Sequence, residues 1–197
     1  MGGCGMNRAM RLALAALVLA LALANGWAGA EEAPTPEASA GVAGFSEQDA
    51  AYAGIWVPFE DGFRLYVPSV WHPFEITPEQ AGAGIFYRAG NDGGDESVGD
   101  TAMGVAVSYF SAGQLKTVDD LARDLEDAGF EAVEVLELNG LAAVGFRRPG
   151  EGYRGVAFFH PTLPEYILQV CVSPIGDAGT PVEAVGSAIL RSLSPTK

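Results

Sequence analysis

The side chains with the most chemical potential in this sequence are its two histidines and one internal cysteine. His72 and His160 each precede a proline, which favours extended backbone at the histidine. They could share a metal ion, but two histidines do not complete a zinc site, and the alternative prediction is two partly exposed loop residues. Cys171 lies in an apolar run, so we expect a buried, unreactive thiol. Strand geometry puts His160 roughly 20 Å from Cys171 along a hairpin, whereas a Cys171–His72 nucleophilic pair is left open.

A second candidate is the acidic, glycine-rich segment 91–100. Its side chains Asp92, Asp95, Glu96 and Asp100 offer the hard oxygen ligands that calcium uses. Their spacing does not match an EF-hand and is not repeated elsewhere, so a solvated loop is the alternative interpretation.

Trp71 and His72 form a third candidate, for binding. They follow Pro68 in a segment that is too apolar for an ordinary exposed loop, and we expect Trp71 to pack at the end of a sheet.

Motifs that would assign a reaction are missing from the sequence. It contains no Gly-x-Ser-x-Gly elbow, phosphate-binding loop, dinucleotide fingerprint or His-Glu-x-x-His pair. The sequence therefore predicts a protein that is not an enzyme and that uses no cofactor or obligatory metal.

The N-terminal residues 1–30 have the pattern of a secretory signal peptide. Arg8 and Arg11 precede an apolar run of about thirteen residues, too short to span a bilayer, and Ala28-Gly29-Ala30 predicts cleavage after Ala30. We expect a periplasmic or extracellular protein with no membrane span after processing. Residues 31–45 then predict an acidic linker rich in Ala and Pro, followed by a single domain over 46–197.

The net charge argues against some partners. It is −14 for the whole chain and becomes −16 when the two positive charges of Arg8 and Arg11 are removed (−14 − 2). Repulsion from phosphate groups disfavours nucleic acid and anionic membranes.

The elements that would position these residues are strands and two helices. Residues 130–172 predict four strands of an antiparallel meander, with Asn139-Gly140 as a tight hairpin turn. Both faces of these strands are apolar, which favours cover on each side. Capping signals and apolar spacing predict amphipathic helices near 117–128 and 181–193. The expected fold class is α+β: an α/β/α sandwich on one mainly antiparallel sheet of about six to eight strands.

The order of these elements resembles the family of the PsbP extrinsic protein of photosystem II, its bacterial DcrB-like relatives and the eukaryotic Ran-binding import factors. The matching strings are Gly62–Pro68 followed by Trp71, the hairpin Leu138–Gly140, and Ile189–Leu193. The resemblance implies an α/β/α sandwich and members that bind proteins or support assemblies. We expect a non-catalytic module that acts on another envelope protein. The alternative is a calcium- or zinc-binding protein or a small hydrolase that uses the acidic loop or His72.

Overall fold

Ten β-strands and three α-helices make up the computed structural model, which describes residues 45–91 and 102–196. The expected signal peptide, nearly all of the expected linker and the acidic candidates Asp92, Asp95, Glu96 and Asp100 lie outside the described residues. The strands are β1 (Gly54–Phe59), β2 (Phe63–Pro68), β3 (His72–Pro73), β4 (Ile85–Gly90), β5 (Gly104–Ser111), β6 (Glu131–Leu138), β7 (Leu141–Arg148), β8 (Tyr153–Phe159), β9 (Tyr166–Ser173) and β10 (Ser194–Pro195). The helices are α1 (Pro78–Gly82), α2 (Val118–Asp127) and α3 (Pro181–Arg191).

The main sheet has seven strands in the order β3-β4-β5-β9-β8-β7-β6, and all of its pairs are antiparallel. The predicted meander is therefore confirmed as β6 to β9. Asn139 and Gly140 have φ values of 51° and 87°, the two positive values that a tight hairpin turn of this type needs. The chain is α+β with mostly antiparallel sheets.

The expectation of one sheet is wrong, because β1 and β2 join β10 in a separate three-stranded sheet ordered β1-β2-β10. Phe63 and Leu65 of β2 are fully buried, while Arg64 between them is exposed. Tyr66 and Val67 are buried as well, so most of β2 packs on the core, and the small sheet does not add strands to the edge of the main sheet. The apolar pattern of a strand does not show which sheet it joins.

Both predicted helices are confirmed, and their ends follow local capping. Thr117 accepts a hydrogen bond from the Asp120 backbone, and the Asp120 carboxylate accepts one from the Thr117 N–H, which makes a reciprocal capping box for α2. Thr180 caps α3, with Pro181 at its first position. A single 3₁₀ turn over Glu47–Asp49 follows Ser46, whose hydroxyl accepts the Gln48 N–H. Helix α1 was not predicted.

Two apolar clusters form on opposite faces of the main sheet, as the strand alternation predicts. In β9, Leu168 and Val170 belong to one cluster, while Ile167 and Cys171 belong to the other. The first cluster includes residues of α3 and of the small sheet, and the second includes Leu121 and Leu125 of α2. Within the described part of the chain, no helix is long and apolar enough to cross a membrane.

The hairpin turn is tied to both ends of the described domain through Asn139. Its Oδ1 accepts a hydrogen bond from Phe45 N at 2.9 Å. Its Nδ2 donates to the carbonyl oxygens of Arg191 and Leu193 at 2.9 and 2.7 Å, where α3 ends. One side chain thus satisfies three backbone groups from two distant segments.

Candidate functional site

Trp71 and His72 do not form a joint binding site. Trp71 is buried in the cluster beneath the small sheet, as expected, and its indole Nε1–H has no hydrogen-bond partner among the described residues. His72 is exposed and pairs with Gly90 at the edge of the main sheet. Trp71 lies before β3, in the connection from β2, whereas His72 begins the edge strand, so the two side chains separate.

His160 is buried, with 6% of its surface exposed, so the expectation of a partly exposed loop residue is wrong. Its Nδ1 accepts hydrogen bonds from the backbone N–H groups of Thr162 and Leu163, both at 3.1 Å. The ring proton must therefore lie on Nε2, which is 3.1 Å from Oδ1 of Asp61.

This carboxylate, imidazole and hydroxyl resemble a catalytic triad in composition, since the Thr162 hydroxyl also lies 3.3 Å from Nδ1. A general base, however, needs a free lone pair to take the proton of the nucleophile. The Nδ1 lone pair of His160 already faces two backbone donors, so the ring is arranged to hold the β8–β9 loop against the β1–β2 turn.

Cys171 is a free, buried thiol on β9, as predicted. Burial raises the pKa of the thiol, because the apolar surroundings disfavour the thiolate. The exposed His72 is not placed to activate this thiol, because Cys171 is buried in the cluster that includes Leu121 and Leu125 of α2.

Metal-ligating geometry is not found in the part of the chain that the structure describes. Among residues 45–91 and 102–196, no group of three or more His, Cys, Asp or Glu side chains is arranged to hold a metal ion. His72 and His160 are not brought together: His72 lies on the edge strand, whereas His160 is bonded to Asp61.

The most distinctive surface feature is a row of aromatic rings that continues outward from the core. Phe63 stacks on Phe59, and Phe59 meets Phe86 edge-on with 6.0 Å between ring centroids. The centroids of Phe86 and Tyr109 are 5.9 Å apart, as are those of Tyr109 and Tyr166. The inner rings are buried or half-buried, while Tyr109 and Tyr166 are 46% and 36% exposed.

Leu163 extends this exposed apolar area along the loop that leads into β9. It is 46% exposed, and its carbonyl accepts the Tyr166 N–H at 2.9 Å. We call Phe86, Tyr109, Leu163 and Tyr166 the aromatic surface. Exposed tyrosines beside an apolar residue are characteristic of protein-binding surfaces, because they bury a large area and keep a hydroxyl for hydrogen bonding.

Local backbone geometry positions this surface. The register between β4 and β5 shifts between Ile85 and Tyr87, and such a bulge redirects a side chain, here Phe86. The Gly84 carbonyl accepts the Tyr109 N–H. A Cβ atom on Gly84 would lie 2.1 Å from the Tyr109 carbonyl oxygen, and its φ of 89° also favours glycine.

The charged residues that neighbour the ring row in sequence include both signs, since Arg64 follows Phe63. Glu165 precedes Tyr166 and is exposed, and Glu60 and Asp61 follow Phe59 at the inner end of the ring row.

The sequence does not indicate this surface, because Phe86, Tyr109 and Tyr166 lie on three different strands and Leu163 lies in a loop. Phe86, Tyr109 and Tyr166 are unremarkable strand aromatics until the register places Tyr109 opposite Leu168, two residues from Tyr166. The sequence does carry one local signal for this surface, which is an aromatic residue at the polar end of a strand.

Comparison with known proteins does not assign this chain to a family. No protein-family model matches the chain, and no curated protein matches it.

Proposed function

We propose that this chain is an exported, non-catalytic binding or assembly module, and that its aromatic surface contacts another envelope protein. The single observation that supports this proposal most is the exposure of Tyr109, Tyr166 and Leu163 in one area. A stable fold has no need to leave these side chains in water, and burying each would contribute on the order of 1 kcal/mol or more to association.

We also propose that the fold is the α/β/α sandwich of the PsbP and DcrB-like family. The support comes from the helices: α2 contacts β6, β7 and β8, while α3 contacts β9 and β2. Their apolar residues belong to the two different clusters of the main sheet. Members of that family that bind proteins agree with a binding role here.

The aromatic surface is tested by site-specific photocrosslinking in cells that export the protein. A photoreactive phenylalanine analogue at position 109 should give one discrete crosslinked product, because Tyr109 lies at the centre of the surface. The matched control is the same substitution at Val135, which is 50% exposed but lies in β6 at the other edge of the sheet.

Two further substitutions test whether the crosslinked product depends on the aromatic surface. Tyr166→Ser, made in the position-109 background, should weaken the crosslink, whereas Ile55→Ser, which removes an exposed apolar side chain from β1, should leave it unchanged. Equal products from positions 109 and 135, or none from either, would contradict the proposal.

Export is tested separately through the intact mass of the protein recovered from the cell envelope. Cleavage after Ala30 predicts a chain that begins at Glu31. A species that keeps the apolar run 12–24 and stays with the membrane would contradict the proposed processing.

A further inference from the structure

A cavity of about 270 Å³ lies at the β3–β4–β5 end of the main sheet, away from the aromatic surface and sharing none of its residues. Its walls include Phe74, Arg88, Asn91 and Ser173, and small residues such as Gly104 and Ala106 leave the space. Its volume is near the lower end for small-molecule sites, which favours a small ligand.

The cavity opens on the face that carries Arg88. The register pairs Arg88 with Ala106 and Gly104 with Ser173, and paired residues of an antiparallel ladder share a face. Helix α2 covers β6, β7 and β8 on this face, while the short helix α1 contacts β4.

Arg88 supplies a positive charge to this cavity. The guanidinium lies over the Phe74 ring, 5.4 Å from its centroid, and donates one hydrogen bond, at 3.3 Å, to Oε1 of Gln80. Within residues 45–91 and 102–196, no carboxylate lies within ion-pair distance of Arg88. A partly buried guanidinium with spare N–H donors favours an anion that can take two of them at once.

Asn91 is also part of the cavity wall, and a backbone hydrogen bond holds its amide in place. Its Oδ1 accepts the Met103 N–H at 2.7 Å, which fixes the amide so that Nδ2 is the atom left over. Nδ2 is buried and has no hydrogen-bond partner in the described ranges. Because Nδ2 is inaccessible to water, it offers no donor to a ligand, and Arg88 is the donor that a ligand can reach.

We propose that this cavity binds a small carboxylate, with the carboxylate on Arg88 and a short apolar substituent over Gly104 and Ala106. A carboxylate matches the planar guanidinium in a two-bond arrangement. The apolar substituent matches the apolar wall that Ala106 and the Phe74 ring provide on this face. The carboxylate could belong to a free organic acid or to the C-terminus of a peptide.

The test uses isobutyrate and benzoate as probes, with isobutyramide and benzamide as uncharged controls of the same shape. Binding to the full mature chain is followed by two-dimensional NMR at fixed ionic strength and pH 7. The acids should shift the amide signals of residues 88–91 and 102–106 with millimolar affinity, as expected for so few ligand atoms. The amides should bind at least about tenfold more weakly, because they lose the charge-assisted bonds.

Two cavity variants and one control variant test whether the probe binds in the cavity. Arg88→Gln should weaken benzoate by about tenfold or more, while Arg123→Gln, which removes an exposed arginine of α2, should leave it unchanged. Gly104→Leu should block binding by filling the space. A Cβ atom at this position meets only the Ala89 carbonyl oxygen, at 3.4 Å, so the variant should fold.

A peptide that ends in Gly-Val with a free carboxylate, compared with its amidated form, separates the two sources of the ligand. Tighter binding of the free-acid peptide than of isobutyrate would assign the site to peptide C-termini, and exclusion of the peptide would assign it to small organic acids. The proposal is overturned if the wild-type chain does not respond to either acid. It is also overturned if acids and amides bind equally, or if binding survives in both folded variants.

Discussion

Replacing Asn139 should measure how strongly one side chain holds the two ends of the domain together. Asn139→Gly removes three hydrogen bonds but keeps the positive φ that the hairpin turn requires. Two of the bonds are partly buried and the third is exposed, so a loss of about 2 kcal/mol in unfolding free energy is expected at roughly 1 kcal/mol for each partly buried bond.

Asn139→Ala should cost about 1 kcal/mol more than Asn139→Gly, because alanine must also adopt a left-handed backbone. Gly140→Ala is the control for this conformational term. Its φ is 87°, and a Cβ atom there would meet no neighbour within 4 Å, so the change adds backbone strain without removing a contact.

Urea unfolding followed by fluorescence provides the measurement. With a slope of about 2 kcal/mol per molar urea, Asn139→Gly should lower the midpoint by about 1 M at an unchanged slope. A midpoint within a few tenths of a molar of wild type would refute the energetic role given to these bonds. Equal stability of the glycine and alanine variants would refute the conformational term.

Four further outcomes are expected. His160→Ala should destabilise the domain by about 2–4 kcal/mol in urea unfolding, because it strands two backbone N–H donors, and a loss below about 0.5 kcal/mol would contradict the assigned tautomer. Cys171 should resist thiol reagents at pH 8 until denaturant is added, since burial raises its thiol pKa; rapid native labelling would count against this. The Thr117 side-chain hydrogen bond, and after it the Lys116 backbone hydrogen bond, lowers the pKa of Asp120. The ionised carboxylate therefore adds stability above the unfolded-state pKa, and this stability is lost as the pH falls through the lower folded-state pKa. Asp120→Asn should destabilise the domain more at pH 6 than at pH 3. Melting temperatures in chelator and in calcium at fixed ionic strength should agree, and a calcium shift that disappears when the acids of loop 92–100 are neutralised would contradict the expectation of no metal.

The elements that the sequence predicted correctly are those whose cause is local. Asn139-Gly140 needs only its own backbone preference to make a turn, and Thr117 and Thr180 need only the next three residues to begin a helix. The faces of β9 followed from alternation alone. Helix α1 also had a local signal, Thr77-Pro78 with Gln80 three residues after the cap, but its five residues are too few to show helical periodicity.

The features that the sequence did not predict depend on distant partners. His160 is buried against Asp61, which is 99 residues away in the β1–β2 turn. The aromatic surface requires the register of β4, β5 and β9. No sequence pattern singles out Arg88 as a binding residue, because its setting depends on the small residues opposite it and on the Phe74 ring beside it.

The position of β10 has a consequence for how the chain acquires its structure. Strand β2 lies between β1, which it meets through a short turn, and β10, whose Ser194 bonds Arg64 across 130 residues. The Tyr66 N–H likewise donates to the Ser192 hydroxyl, 126 residues away. The β1–β2 hairpin can form early, but its second edge stays open until α3 has packed. During that interval an unpaired strand edge is exposed, which is the kind of surface that joins other chains. A protein that has lost β10 would keep that edge permanently, and self-association is the hazard it would face.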